Sequence, residues 1–188
     1  KNGDWHILSL GFRQIHMWMP YHNLGREVFL TPLKFGDDGW FTAGNDGTTE
    51  YEYEIQGDFE QQEKKLYTFD NTSWKIDWCH LRRPHFDNYE FYDDSIILHG
   101  SDITLDDVDS PTFVALRQRD FEFELSVKLS IDGGEGGVTC YMCEDEHYDV
   151  ALRKKSGETE AVLKLNIGGI KHIQNAVKLN SDTAVLIV

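Results

Sequence analysis

Three cysteines in 188 residues, Cys79, Cys140 and Cys143, are too few and odd in number to form a disulfide framework. That scarcity points to a reducing, cytoplasmic setting. Cys140 and Cys143 have C-x-x-C spacing, yet they sit in the extended run Val138-Thr139-Cys140-Tyr141-Met142-Cys143. Residues three apart on a regular strand point to opposite faces, which argues against a metal or redox pair. Basic residues are scarce as well, with 18 Lys and Arg against 33 Asp and Glu and a net charge of −15. A field of that sign repels phosphate backbones and anionic lipid, so neither nucleic acid nor membrane is expected as a partner. No apolar run approaches the roughly 20 residues a membrane-crossing helix needs. The opening Lys1-Asn2-Gly3-Asp4-Trp5 lacks both an initiating Met and a signal-peptide core, so the chain is expected to begin inside a longer protein. Without a secretory signal, Asn71-Thr72-Ser73 reads as a chance glycosylation pattern.

Long amphipathic helices are missing too, and the four prolines and 13% aromatic residues fit a strand-rich chain. What is present is alternation with a period of two. Phe121, Phe123, Leu125, Val127, Leu129 and Ile131 share one face against Glu122, Glu124, Ser126, Lys128 and Ser130, which predicts a long half-buried strand over 121–131. Gly133-Gly134-Glu135-Gly136-Gly137 follows and reads as a hairpin connection supplying positive φ; no helix stands behind it to make a phosphate loop. Strands are then predicted over 148–154 and 161–167, with turns at Ser156-Gly157-Glu158 and Gly168-Gly169. Short strands at such intervals predict an antiparallel sandwich.

The first 57 residues read differently. Trp5 to Phe12, Glu27 to Phe35 and Tyr51 to Ile55 are strand-like, Gly36-Asp37-Asp38-Gly39 is a turn, and the polar stretch Phe59 to Leu66 is a connector. Three short strands cannot close a core, so this part is expected to belong to a larger body. At the other end Ala184-Val185-Leu186-Ile187-Val188 is an apolar strand with no cap or charged tail, which implies further residues or a second polypeptide at that edge.

Several polar clusters were weighed for chemistry. Asp102, Asp106, Asp107 and Asp109 lack the twelve-residue calcium loop with its central glycine, and a solvated turn is the better reading. His80 and His85 with Asp77 and Asp87 have only loose metal-like spacing and read as structural or exposed. No Ser or Cys stands in a nucleophile-elbow context. Nothing calls for a metal or cofactor.

Two blocks carry a family resemblance. Tyr21-His22-Asn23-Leu24-Gly25-Arg26-Glu27-Val28-Phe29 followed by Gly39-Trp40 resembles the last part of the five-bladed propeller of glycoside hydrolase family 43 β-xylosidases and arabinofuranosidases. Trp78, Leu81-Arg82-Arg83-Pro84, Leu98-His99-Gly100 and Ser110-Pro111-Thr112-Phe113-Val114-Ala115-Leu116-Arg117-Gln118 resemble the concanavalin-like sandwich appended to them. The resemblance implies an all-β chain, with residues 1–57 the end of the propeller and 58–188 the sandwich. It implies an inverting glycosidase acting on xylose- or arabinose-containing oligosaccharides, whose acid and base stand about 6.5–9.5 Å apart. In the family those carboxylates come from earlier blades, so no catalytic residue is expected here and the chain alone should be inactive.

By the same resemblance Arg26 reaches the sugar at the cleavage point, where a planar guanidinium offers fixed donors to vicinal hydroxyls. The alternative is an arginine paired with Glu27 or a neighbouring carboxylate. Trp18, Tyr21 and His22 are candidates for one wall of the pocket, with ordinary strand packing as the competing reading. A different class of function is a free-standing sugar-binding module using Trp74, Trp78, Tyr89, Phe91 and Tyr92. A third is a structural role in a homo-oligomer.

Overall fold

The computed structural model describes residues 3–13, 22–50, 52, 54, 64–69, 77–92 and 94–188. Every regular element among them is a strand, apart from one turn of 3-10 helix at Phe86–Asn88. The all-β expectation holds. Backbone packing divides the chain into two compact units, Lys1–Lys65 with Gln118–Glu122, and Leu66–Arg117 with Phe123–Val188.

The first unit is built on a three-stranded antiparallel sheet in the order β1 (Trp5–Gly11), β2 (Glu27–Phe35), β3 (Phe41–Ala43). The turn at Gly36–Gly39 closes through Gly39 N–H donating to the Gly36 carbonyl at 3.0 Å and Gly36 N–H to Trp40 at 2.7 Å. Both faces of this sheet are apolar. Leu8 pairs with Leu30 and Leu10 with Val28 on one face, while Trp5 pairs with Leu33 and Ile7 with Thr31 on the other. Leu8 is nevertheless 69% exposed, Val28 70% and Trp5 64%. Only Thr31 and Gly44 are buried among this unit's described residues. The strand expected at Tyr51 to Ile55 and the connector from Phe59 lie largely outside the described residues.

The second unit is a two-layer arrangement. One layer is a four-stranded meander, β9 (Gly134–Cys143), β10 (Glu146–Lys155), β11 (Glu158–Ile167) and β12 (Ile170–Leu179), in the order β12-β11-β10-β9. The other is a ribbon of β8 (Ser126–Ser130) and β13 (Thr183–Ile187). The core lies between them, where Ile131, Val138, Leu152 and Leu186 are buried and Val127, Leu129, Val150 and Ala161 pack around them. Alternation fills this interface from both sides. Small two-stranded pairs, β4 (Trp78–Cys79) with β7 (Ala115–Leu116) and β5 (Tyr89–Phe91) with β6 (Ile96–Leu98), complete the unit.

Four local readings change. The strand predicted over 121–131 is observed as β8 over 126–130, with Leu125 just before it exchanging backbone hydrogen bonds with Val188 at 2.9 and 3.0 Å. Among the described residues 121–124 have no strand partner, and alternation alone makes no strand. The glycine run is no hairpin. β8 pairs with β13, so the chain crosses between layers there, and Gly134 to Gly137 lie inside β9 against Lys154 to Ala151. At Gly137 a Cβ would stand 2.3 Å from the Val150 carbonyl oxygen and 2.5 Å from Ala151 Cα, so this glycine serves close strand approach while its φ is not in the positive region. The thiols of Cys140 and Cys143 fall on one face. Their partners Tyr148 and Glu146 are two apart on β10, and Met142 is the extra residue of a β-bulge. Both thiols are free. Finally, the last strand is paired along its length with β8 and contributes Leu186 to the core.

Candidate functional site

Arg26 precedes β2 directly, after Gly25 at φ 74°. The neighbouring carboxylate does not pair with it. Glu27 is taken by Arg13, whose Nε and Nη2 donate to the two carboxylate oxygens at 2.9 and 3.0 Å. That two-pronged geometry raises the Arg13 pKa and lowers that of Glu27, in each case chiefly through the side-chain hydrogen bond. Arg13 also donates to the Arg119 carbonyl at 3.2 Å and lies 4.9 Å above the Phe121 ring. Arg26 is exposed and makes no ion pair among the described residues. Its five donors are available to a ligand.

His22 is half-buried, with its ring stacked on Phe12 at 4.5 Å and an interplanar angle of 26°. Its Nδ1 is buried and has no hydrogen-bond partner among the described residues. Trp18 and Tyr21 lie outside the described residues, so Arg26 and His22 are the two proposed sugar contacts whose positions are described.

The aromatic residues weighed for a sugar-binding module do not form an open platform. Trp78 is packed by Tyr67 and Phe69, with ring centroids 5.4 and 5.2 Å away. Tyr89 is 6% exposed, and its hydroxyl donates to the Phe113 carbonyl at 3.1 Å while accepting from Phe113 N–H at 2.8 Å. Phe91 is half-buried, Tyr92 is exposed beside Glu90, and Trp74 lies outside the described residues.

The polar face of the four-stranded sheet holds a cluster that sequence reading did not single out. His147 and Asn166, cross-strand partners on β10 and β11, are 3% and 2% exposed, and Asp149 is 6% exposed. His147 Nδ1 lies 2.9 Å from Asp149 Oδ1 and its Nε2 3.1 Å from Asp106 Oδ1. Asn166 Nδ2 donates to Asp106 Oδ1 at 2.7 Å and to the Glu144 carbonyl at 2.9 Å. These groups line a cavity of about 230 Å³ with Lys164 and Lys171. Asp106 is therefore no solvated turn residue, as the aspartate run had implied; it is the loop's insertion into this cluster. Asp107 and Asp109 do act as turn residues, accepting from Thr104 N–H and Ser110 N–H, each at 2.7 Å. No group of three or more His, Cys, Asp or Glu among the described residues is arranged to hold a metal. His80 accepts a structural role, with Nδ1 2.8 Å from the Phe113 carbonyl, and His85 is exposed.

Residues 67–187 match the family described as the β-xylosidase C-terminal concanavalin A-like domain. The chain is 27% identical over 173 residues to the non-reducing end α-L-arabinofuranosidase BoGH43B of Bacteroides ovatus, covering 87% of this chain and 32% of that protein. The chain thus spans about a third of the curated relative's length. Among solved structures it superposes on the Bacteroides ovatus xyloglucan-locus GH43B with a TM-score of 0.82 at 25% identity, covering 100% of this chain and 39% of the other. BlXynB, a GH43 protein of Bacillus licheniformis, superposes with a TM-score of 0.84 at 21% identity, covering 100% of this chain and 38% of the other. This last likeness concerns the fold alone.

Proposed function

Because the chain belongs to the β-xylosidase C-terminal concanavalin A-like domain family through residues 67–187, we propose that it forms part of an inverting glycosidase of family 43 that cleaves xylosides or arabinosides. The acid and base lie outside these 188 residues, and the sandwich is accessory. The observation that carries this reading is the division of labour between two arginines. Arg13 neutralises Glu27 and leaves Arg26 exposed and unpaired among the described residues. A guanidinium spent on holding a strand would have taken the adjacent carboxylate. One left free suits vicinal hydroxyls of a pentose and keeps its charge at any working pH. His22, whose buried Nδ1 has no partner among the described residues, adds a second polar group for the same sugar.

The sheet of the first unit supports the assignment of the missing chemistry to other polypeptide. Apolar side chains stand on both of its faces, which is the pattern of a layer flanked on each side, as a propeller blade is. The proposed partners are therefore the remaining blades of the same enzyme and a xylose- or arabinose-containing oligosaccharide. An acidic chain of net charge −15 leaves nucleic acid and anionic membrane out of that list.

The test is turnover of chromogenic xylosides and arabinofuranosides by the purified 188-residue chain beside the longer protein that contains it. The longer protein should hydrolyse at least one and the chain neither. Turnover by the chain would place the proton-transferring carboxylates within it and end this assignment.

A further inference from the structure

The segment from Ser101 to Asp109 is tied at its far end to neighbours outside the four-stranded sheet. Arg82 Nη1 donates to the Asp109 carbonyl at 2.5 Å, and just beyond it Thr112 Oγ1 donates to the His99 carbonyl at 2.7 Å. Within it the turn is closed locally, Thr104 N–H and Oγ1 donating to Asp107 Oδ2 at 2.7 and 2.8 Å. Asp106 is the exception. Its carboxylate meets polar groups of three strands: Asn166 Nδ2 of β11 donates to it at 2.7 Å, Lys171 Nζ of β12 pairs with it at 2.9 Å, and His147 Nε2 of β10, itself 3.2 Å from Asn166 Nδ2, lies 3.1 Å away. No other residue of Ser101–Asp109 makes a hydrogen bond or ion pair to that sheet among the described contacts.

We propose that Asp106 is an acid-sensitive latch that fastens this segment to the polar face of the sheet, so that protonating one carboxyl frees the segment and leaves the core between the two layers in place. The geometry supplies the reason. A carboxylate can accept from Asn166 and Lys171 together, and from His147 whenever Nε2 carries a proton, whereas a carboxylic acid loses the charge that pairs with Lys171 and turns one oxygen into a donor beside two groups that have only protons to give. The core is independent of the latch because Leu152 of β10 and Leu186 of the β8–β13 ribbon meet on the opposite side of the sheet.

The charged groups around Asp106 are accounted for from each element. β10 supplies His147, with Asp149 behind it at 2.9 Å from Nδ1; β11 supplies Lys164, 3.9 Å from Asp149; β12 supplies Lys171 and, at the cavity's wall, His172; and the segment itself supplies Asp107. Burial pushes the Asp106 carboxyl up, but Lys171, His147 and Asn166 together outweigh it and hold the group below its ordinary value. A depressed carboxyl contributes fastening that is complete above its unfolded pKa of about 3.9 and is lost as the pH falls through the lower folded value. Release is therefore expected in acid, below about pH 4.

Amide exchange on the full chain, expressed as protection relative to intrinsic rates, tests this. At neutral pH the isosteric Asp106→Asn variant should lower protection across 103–110 by at least about tenfold, the size expected for losing charge-assisted bonds. Protection of Val150 and Leu152 in β10 should stay unchanged. Lys171→Met should shift acid release of the segment to higher pH. Unchanged protection of the segment in Asp106→Asn would overturn the latch, since acid opening would then belong to Asp107 or another carboxyl. Equal loss in the segment and in β10 would overturn it too, because the cluster would be part of the core and no latch.

Discussion

The two antiparallel sheets of this chain solve the same problem in opposite ways. The four-stranded sheet of the second unit has one apolar face, and the β8–β13 ribbon covers part of it, leaving Leu152 at 0% exposure and Leu186 at 4% while Val177 of β12 stays 53% exposed. Its other face is polar, and its charges are spent on one another: Arg153 on Glu160 at 2.9 Å and Lys164 on Glu135 at 2.7 Å. The three-stranded sheet of the first unit has apolar residues on both faces and keeps them in the open, with Leu8 at 69% and Val28 at 70%. A sheet with one apolar face needs one covering layer, and a sheet with two needs two. On the proposed reading the first sheet is a component, while the second holds a buried core of its own, which is why chemistry is sought with the first and scaffolding with the second.

The largest effect should come from the core beneath the ribbon. Leu152→Ala removes a fully buried side chain and should cost about 2–5 kcal/mol in denaturant unfolding of the second unit. Leu8→Ala in the 188-residue chain should change stability by no more than about 0.5 kcal/mol. In the longer protein the same change should approach the cost of a core truncation, and a neutral result there would remove the flanking layers from the account. Gly137→Ala comes next. Its new Cβ meets backbone, and a loss of about 1–3 kcal/mol is expected, while Gly133→Ala, with open space around it, should leave unfolding within about 0.5 kcal/mol of wild type.

How much of this was legible beforehand depended on how far each feature reached along the chain. Strands over 148–154 and 161–167 appear as β10 and β11, longer by a residue or a few at their ends, because each alternation and its flanking turn are local. The two turns are local as well: Ser156 and Gly157 have φ of 55° and 82°, and Gly168 and Gly169 have φ of 58° and 78°, as two-residue hairpins of this kind require. The glycine run was misjudged because its partner lies elsewhere. Whether Gly137 sits in a turn or beneath Ala151 is decided by register, which composition does not carry. The facing of Cys140 and Cys143 turned on a bulge at Met142, again a property of the pairing. His147, Asp149 and Asn166 gave no signal, since an isolated His-x-Asp on a strand resembles any exposed polar alternation. Asp106, 41 residues from His147, is what makes them a cluster. Arg26 was found through the Leu24-Gly25-Arg26-Glu27 block, while the partner that takes Glu27 away from it, Arg13, was not foreseen.

The smallest effect concerns that pair. Glu27 is held below the usual carboxylate range mainly by its hydrogen bond from Arg13, so the interaction contributes above the ordinary carboxyl pKa and fades as the pH falls through the lowered value. Carboxyl NMR titration of Arg13→Met should show Glu27 rising toward its ordinary value. Because the pair is still partly open to solvent, added salt should shrink the difference.

The central claim is that Arg26 holds the sugar while the reacting carboxylates stand elsewhere. Its most direct test is kcat/KM of the longer protein on a chromogenic xyloside and arabinofuranoside, with Arg26→Ala compared to wild type. A fall of about 10- to 100-fold, the loss expected for charge-assisted hydrogen bonds to substrate, with the unfolding midpoint unchanged, is the predicted result. Activity within about twofold of wild type would contradict it.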